Sequence, residues 1–230
     1  LPGLGMTTLH APAGEASLIH AAREQLRLLP QIERFAVESA RESRYREPCL
    51  NDPGYRTRLE EQLRDRTLRH WAGAWGRYST GARNYLCATE ENVCQCRHCM
   101  DRFQEGLRAR HGDIARLNHG WRTDFGDWDF IEPPEAMGPG QEGPIAPWVD
   151  FRCFMDNTFT DFHRWARSVI TRADPSGEVG GLFAADSNPI HGYHWPALLD
   201  ALDFAAIEYS PLIAEKLRSY SRAGAWSGVS

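Results

Sequence analysis

Residues 85–99 read YLCATEENVCQCRHC, and two kinds of chemistry meet in them. The apolar opening Tyr85-Leu86-Cys87 predicts a short strand over Asn84–Ala88, running straight into two adjacent carboxylates, Glu90 and Glu91. A carboxylate at the C-terminal end of a strand occupies the position where barrel enzymes keep catalytic groups. Side chains alternate along a strand, so at most one of the pair points inward. The competing reading makes both of them surface acids in a turn, or partners of the loop that follows.

That loop carries three thiols, Cys94, Cys96 and Cys99, in a C-x-C-x-x-C pattern. A structural zinc takes four ligands in a tetrahedron, and thiolates suit it. Three ligands come from this one loop; Cys49 and His98 are the candidates for the fourth. The alternative is a set of buried thiols without a metal. Cys87 and Cys153 stand among apolar neighbours and read as packing residues. Six unevenly spaced cysteines in 230 residues do not make a disulfide framework. They point to a reducing compartment, and the cytoplasm is the expected location.

Upstream, residues 14–29 predict a helix with Leu18, Ile19, Ala22 and Leu26 on one face, ended by Pro30, after a short strand at Met6–Leu9. An amphipathic segment covers Ile32–Ser43. Asp52-Pro53 is a helix start, an acceptor at the cap followed by proline at the first helical position. That helix runs to about Trp75, GRYSTGA makes a turn, and the strand Asn84–Ala88 follows. Downstream come a helix over Met100–Arg110 stopped by Gly112, a short helix capped by Asp113, and a long Gly/Pro-rich loop. A helix over Val149–Thr171 has the clearest apolar stripe: Phe151, Phe154, Met155, Thr158, Phe162, Trp165 and Val169. A strand at Val179–Ala185, a helix at Pro196–Leu202 and a strand at Phe204–Tyr209 complete the pattern. Helices alternating with strands, with long loops after the strands, predict a single α/β domain with a parallel sheet.

Hydrophobic residues make up 42% of the chain, enough for one sizeable core, and the net charge is -5. An acidic balance argues against nucleic acid as partner, since phosphate binding needs a basic face. No apolar run approaches the length that spans a bilayer, so no membrane partner is expected. The chain opens on LPGLG and closes on AWSGVS, and reads as a piece of something longer. Trp121, Trp128, Trp148, Tyr193 and Trp195 lie in or beside loops, as sugar-stacking platforms or as plugs beneath them. Arg46 is placed to bind a hydroxyl or carboxylate, or simply to be solvated. Glu208, Tyr209, Asp186 and Asn188 fall at strand ends.

PCLNDPGYR, the TEEN segment, CQCRHCMDRF, LNHGWRTDFGDWDFIEPPE and APWVDFRCFMDNTFTDFHRW follow one another in an order that resembles glycoside hydrolase family 42. These are β-galactosidases of the retaining (β/α)8 clan. The likeness runs from about Arg44 to Pro211. It implies a partial TIM barrel, about strands three to six with their helices, in an incomplete catalytic domain acting on a carbohydrate substrate. It implies zinc on Cys49, Cys94, Cys96 and Cys99, which resolves the fourth ligand in favour of Cys49. The general acid/base stands at the end of the family's fourth strand, here Glu91, flanked by Glu90 and Asn92 at the substrate. Tyr209 matches a family tyrosine after the sixth strand, Arg46 lies one position from a substrate-binding arginine, and Trp195 is a further substrate candidate. Glu90 stands where the family has Asn, which moves the expected substrate away from a plain galactoside. The family's nucleophile follows the seventh strand, and this chain reads as stopping after the sixth. A catalytically degenerate, carbohydrate-binding barrel, or a glycosidase for another β-glycoside, is the alternative. Homotrimers, common in the family, are the expected assembly of the full-length protein.

Overall fold

The structure, a computed structural model, describes the chain apart from residues 1–6, 34–43, 71–75, 83, 88–92, 133–142, 185–188, 208–210, 221–225 and 230. Its sheet contains β1 (Thr8–Pro12), β2 (Arg27–Gln31), β3 (Arg77–Ala82), β4 (Glu178–Phe183), β5 (Phe204–Ile207) and β6 (Trp226–Val229). The strands stand side by side in sequence order and every pairing is parallel. The helices are α1 (Glu15–Arg23), α2 (Pro53–His70), α3 (Arg97–His111), α4 (Ile114–Trp121), α5 (Ile145–Ala173), α6 (Trp195–Ala201) and α7 (Pro211–Tyr220). Parallel neighbours in chain order, joined by helical crossovers, are the arrangement of a partial β/α barrel. It has six strands among the described residues, against about four expected from the sequence. The helix and strand after Pro211 were not expected at all.

Local chemistry accounts for most of these elements. At α2, Asp52 accepts from the Gly54 N–H at 2.9 Å and Pro53 opens the helix. Gly112 ends α3 with φ of 78°, and the Asp113 carboxylate caps α4 by accepting from the Arg116 N–H at 2.8 Å. On α5 five members of the expected stripe are buried, Phe151, Met155, Thr158, Phe162 and Val169, with Phe154 and Trp165 half-buried at its edge; Phe159, which was not expected there, is buried beside them. Tyr55 of α2 stacks on Phe162 at 5.9 Å, and the Arg56 guanidinium lies 5.3 Å from the rings of both Phe162 and Trp165.

Three expectations are corrected. The helix over 14–29 stops at Arg23, and Leu26, Leu28 and Pro30 alternate into the core, the last two from β2. Their period is two, and proline fits because β2 meets β3 at a single register position, Gln31 with Ser79. GRYSTGA, expected as a turn, supplies β3, and Asn84–Cys87 is irregular chain beyond it. Small residues mark close backbone approach here: a Cβ on Gly180 of β4 would lie 2.2 Å from the Phe204 carbonyl oxygen. Cys153, expected in the core, is exposed; Cys87 is buried.

Candidate active-site rim and four-cysteine centre

Because the strands are parallel, the loops that follow them all emerge at one rim, the end of the barrel that carries function in this architecture. Among the described residues, 44–51 follow β2, 84–87 and 93–96 follow β3, and 189–194 follow β4.

Leu86 is where these loops are fastened together. Its N–H donates to the His191 carbonyl at 2.9 Å, and its own carbonyl accepts from Arg46 Nε at 2.9 Å. The His191 ring stacks on Tyr85 at 5.1 Å. The Tyr193 hydroxyl donates to the Asn84 carbonyl at 2.7 Å and accepts from the Ala184 N–H at 3.2 Å. Asn84 in turn donates from Nδ2 to the Thr80 carbonyl of β3. The segment leading to Glu90 and Glu91 is therefore held on both sides.

The cysteines converge at the same place. The sulfurs of Cys49, Cys94, Cys96 and Cys99 all lie within 4.8 Å of one another, Cys49–Cys96 at 3.3 Å and Cys49–Cys99 at 3.6 Å. A tetrahedron of thiolates with 2.3 Å bonds to zinc has sulfurs about 3.8 Å apart, so the cluster has the size and donor set for that ion. Three further donors face the sulfurs: Arg46 N–H to Cys94, and Asn51 N–H and Nδ2 to Cys49 and Cys99, each at 3.3 Å. Packed this closely, the thiols titrate against one another. Hydrogen bonding with Cys49 pulls Cys94 down to about 7 and also lowers Cys96. Cys49 and Cys99 are raised, by Cys94 and by Cys49 respectively. Such a set holds negative charge that a dication would neutralise. His98 is not in the cluster; it is half-exposed, 3.9 Å from Asp52.

The other expected site residues fall differently. Arg46 is 1% exposed and gives its guanidinium to the backbone carbonyls of Leu86 and Pro48, so it ties the wall of the rim together. Burial lowers its pKa, and the nearby Tyr55 and Cys49 act in the opposite sense. Trp195, at the start of α6, is buried between Tyr193 at 4.9 Å and Phe183 at 5.8 Å, a plug beneath the loop. Glu90, Glu91, Asn92 and Tyr209 lie outside the described residues, as do Glu208, Asp186 and Asn188. Sequence reasoning missed Asn51 and the Leu86 backbone. The position of Asn51, two residues after Cys49, was a signal for the first; a backbone role leaves none.

The sequence profile of the β-galactosidases of glycoside hydrolase family 42 matches residues 35–220. The β-galactosidase LacZ of Heyndrickxia coagulans is 28% identical over 125 residues, 53% of this chain and 18% of that protein. The β-galactosidase Bga of Halorubrum lacusprofundi is 29% identical over 155 residues, 63% of this chain and 21% of that protein. The chain thus spans about a fifth of these relatives' length. Among solved structures, a β-galactosidase from the psychrophilic Marinomonas ef1 superposes with a TM-score of 0.71 at 13% identity, over 91% of this chain and 37% of that one. One from Bacillus circulans sp. alkalophilus gives 0.69 at 15% identity, over 90% and 36%. At such identities the likeness speaks for the fold: these six strands are part of a barrel. With the profile covering most of its length, the chain belongs to glycoside hydrolase family 42.

Proposed function

We propose that the protein containing this chain is a retaining glycoside hydrolase acting on β-galactosides, with Glu91 as general acid/base and zinc on Cys49, Cys94, Cys96 and Cys99. The observation that carries this is the family match over residues 35–220, which includes the loop after β3 and both cysteine segments. The described residues on either side of Glu91 in the sequence are consistent with it: Leu86 is held through its backbone by His191 and Arg46, and the Cys94 sulfur by the Arg46 N–H.

In a retaining mechanism the acid protonates the glycosidic oxygen while a second carboxylate attacks the sugar; the first then serves as base for water. Glu91 has the first role. With β3 as the fourth barrel strand, β6 is the seventh, and the nucleophile is sought past Val229 in the longer protein. Tyr209, Asn92 and Glu90 are proposed at the substrate. Arg46, buried as it is, is proposed to act at the site by positioning the Leu86 carbonyl. Zinc, when bound, supplies structural charge: it joins the loop after β2 to the start of α3. No helix of the described chain is long and apolar enough to cross a membrane. A homotrimer in the cytoplasm is the proposed setting.

A second reading, a glycosidase for another β-glycoside, is favoured by Glu90 standing where the family has Asn. Incubating the whole protein with an alkyl β-galactoside and following the released sugar by NMR separates the readings. β-Galactose appearing before mutarotation is the expected result. α-Galactose first would remove the retaining assignment, and no release from galactosides, with release from another β-glycoside, would favour the second reading.

A further inference from the structure

Asn51 is 6% exposed and lies beside the cysteine cluster, between α2 and α3. Its backbone N–H points at Cys49 and its side-chain Nδ2 at Cys99, both at 3.3 Å. On the other side of the same carboxamide, Arg102 of α3 donates from a terminal guanidinium nitrogen to Asn51 Oδ1 at 2.8 Å. Arginine has only donors to offer, so it fixes which end of the amide faces it. The oxygen turns to Arg102, and the NH2 group must turn to the sulfur.

We propose that Asn51 and Arg102 form a positioning pair for the metal centre: Arg102 locks the carboxamide so that its NH2 donates to the Cys99 thiolate and holds that sulfur at the ion. This rests on the zinc reading above and adds residues to it. A thiolate bound to a dication remains a hydrogen-bond acceptor, and partners outside the ligand set orient the ligand and tune its affinity. Cys99 draws on this pair, whereas Cys94 receives its bond from the Arg46 backbone, which no substitution of a side chain removes. Arg102 itself is exposed, so its effect is exerted through the amide and not through burial.

The test uses the whole protein and zinc alone, with affinity measured by competition against a chromogenic chelator. Cobalt substitution reports the thiolate-to-metal charge-transfer band. Asn51→Asp keeps the shape and the Arg102 contact but places no donor at Cys99; Arg102→Ala removes the lock from an exposed position and leaves the core intact. Each is expected to weaken zinc binding by about 10–100-fold and to shift the cobalt band. The double variant should be no weaker than Asn51→Asp, because both act through one bond. Arg102→Ala with wild-type affinity and spectrum, or losses that simply multiply, would overturn the pair while leaving the zinc reading in place. A wild-type whole protein that takes up no zinc would overturn both.

Discussion

His163 is a titratable group that the fold keeps from titrating. α5 carries it into the core with no exposure, its ring edge-on to Phe159 at 4.7 Å and to Phe183 at 5.6 Å. Burial first, and then the charge of Arg46, push its pKa down to about 3. The unfolded chain takes up this proton near pH 6.5 and the folded chain does not, so the unfolded state binds more protons throughout the interval between. Stability therefore falls as pH drops from about 6.5 towards 3, by about 1.4 kcal/mol per pH unit for this one group. His163→Gln cannot take up the proton. Denaturant unfolding at pH 7 and pH 5 should show a shallower acid loss in the variant by about that slope, and parallel losses would contradict the assignment. Arg46 and Trp195 carry a related lesson. Both were candidates for contact with sugar, and both are buried with their partners chosen by the fold. Residue type announces what a side chain is able to do, and the fold shows which partners it has been given.

At the scale of elements, the helices were legible and the strands less so. Caps at Asp52, Gly112 and Asp113 and the stripe on α5 use local rules of spacing, and the structure keeps each of them. β3 was not legible, because RYSTGA has turn-like composition, and its strand conformation comes from its neighbours β2 and β4. The loops after β3 and β4 interlock at Gly192, whose φ is 76° and whose added Cβ would come 2.9 Å from the Leu86 Cβ. Gly192→Ala combines a strained backbone with a steric push on the residue that His191 and Arg46 hold. It should lower stability by about 1–3 kcal/mol and reduce kcat/KM in the whole protein without touching substrate. A denaturant midpoint equal to that of wild type would show that Leu86 is not held there.

At the scale of the molecule, the three thiols of the C-x-C-x-x-C loop were readable as candidate metal ligands from their spacing, while Cys49 as the fourth came only with the resemblance to the family. Their convergence within 4.8 Å is a matter of topology: β2 and β3 are neighbours, so the loops after them meet. The number of strands was less readable, because β2 and β6 are short and each depends on its neighbour. The chain spans about a fifth of the curated relatives, so the second carboxylate is sought in the longer protein. The role of Glu91 is the centre of the account. The most direct measurement is the rate of the Glu91→Gln whole protein on an alkyl and on an activated aryl β-galactoside. General acid catalysis contributes about 10²–10⁴-fold, so the alkyl substrate should lose roughly that much. The aryl substrate, whose leaving group needs no proton, should lose less in the first step, and added azide should restore its turnover as β-galactosyl azide. Equal, small losses on both substrates would contradict the assignment of Glu91 as the acid/base.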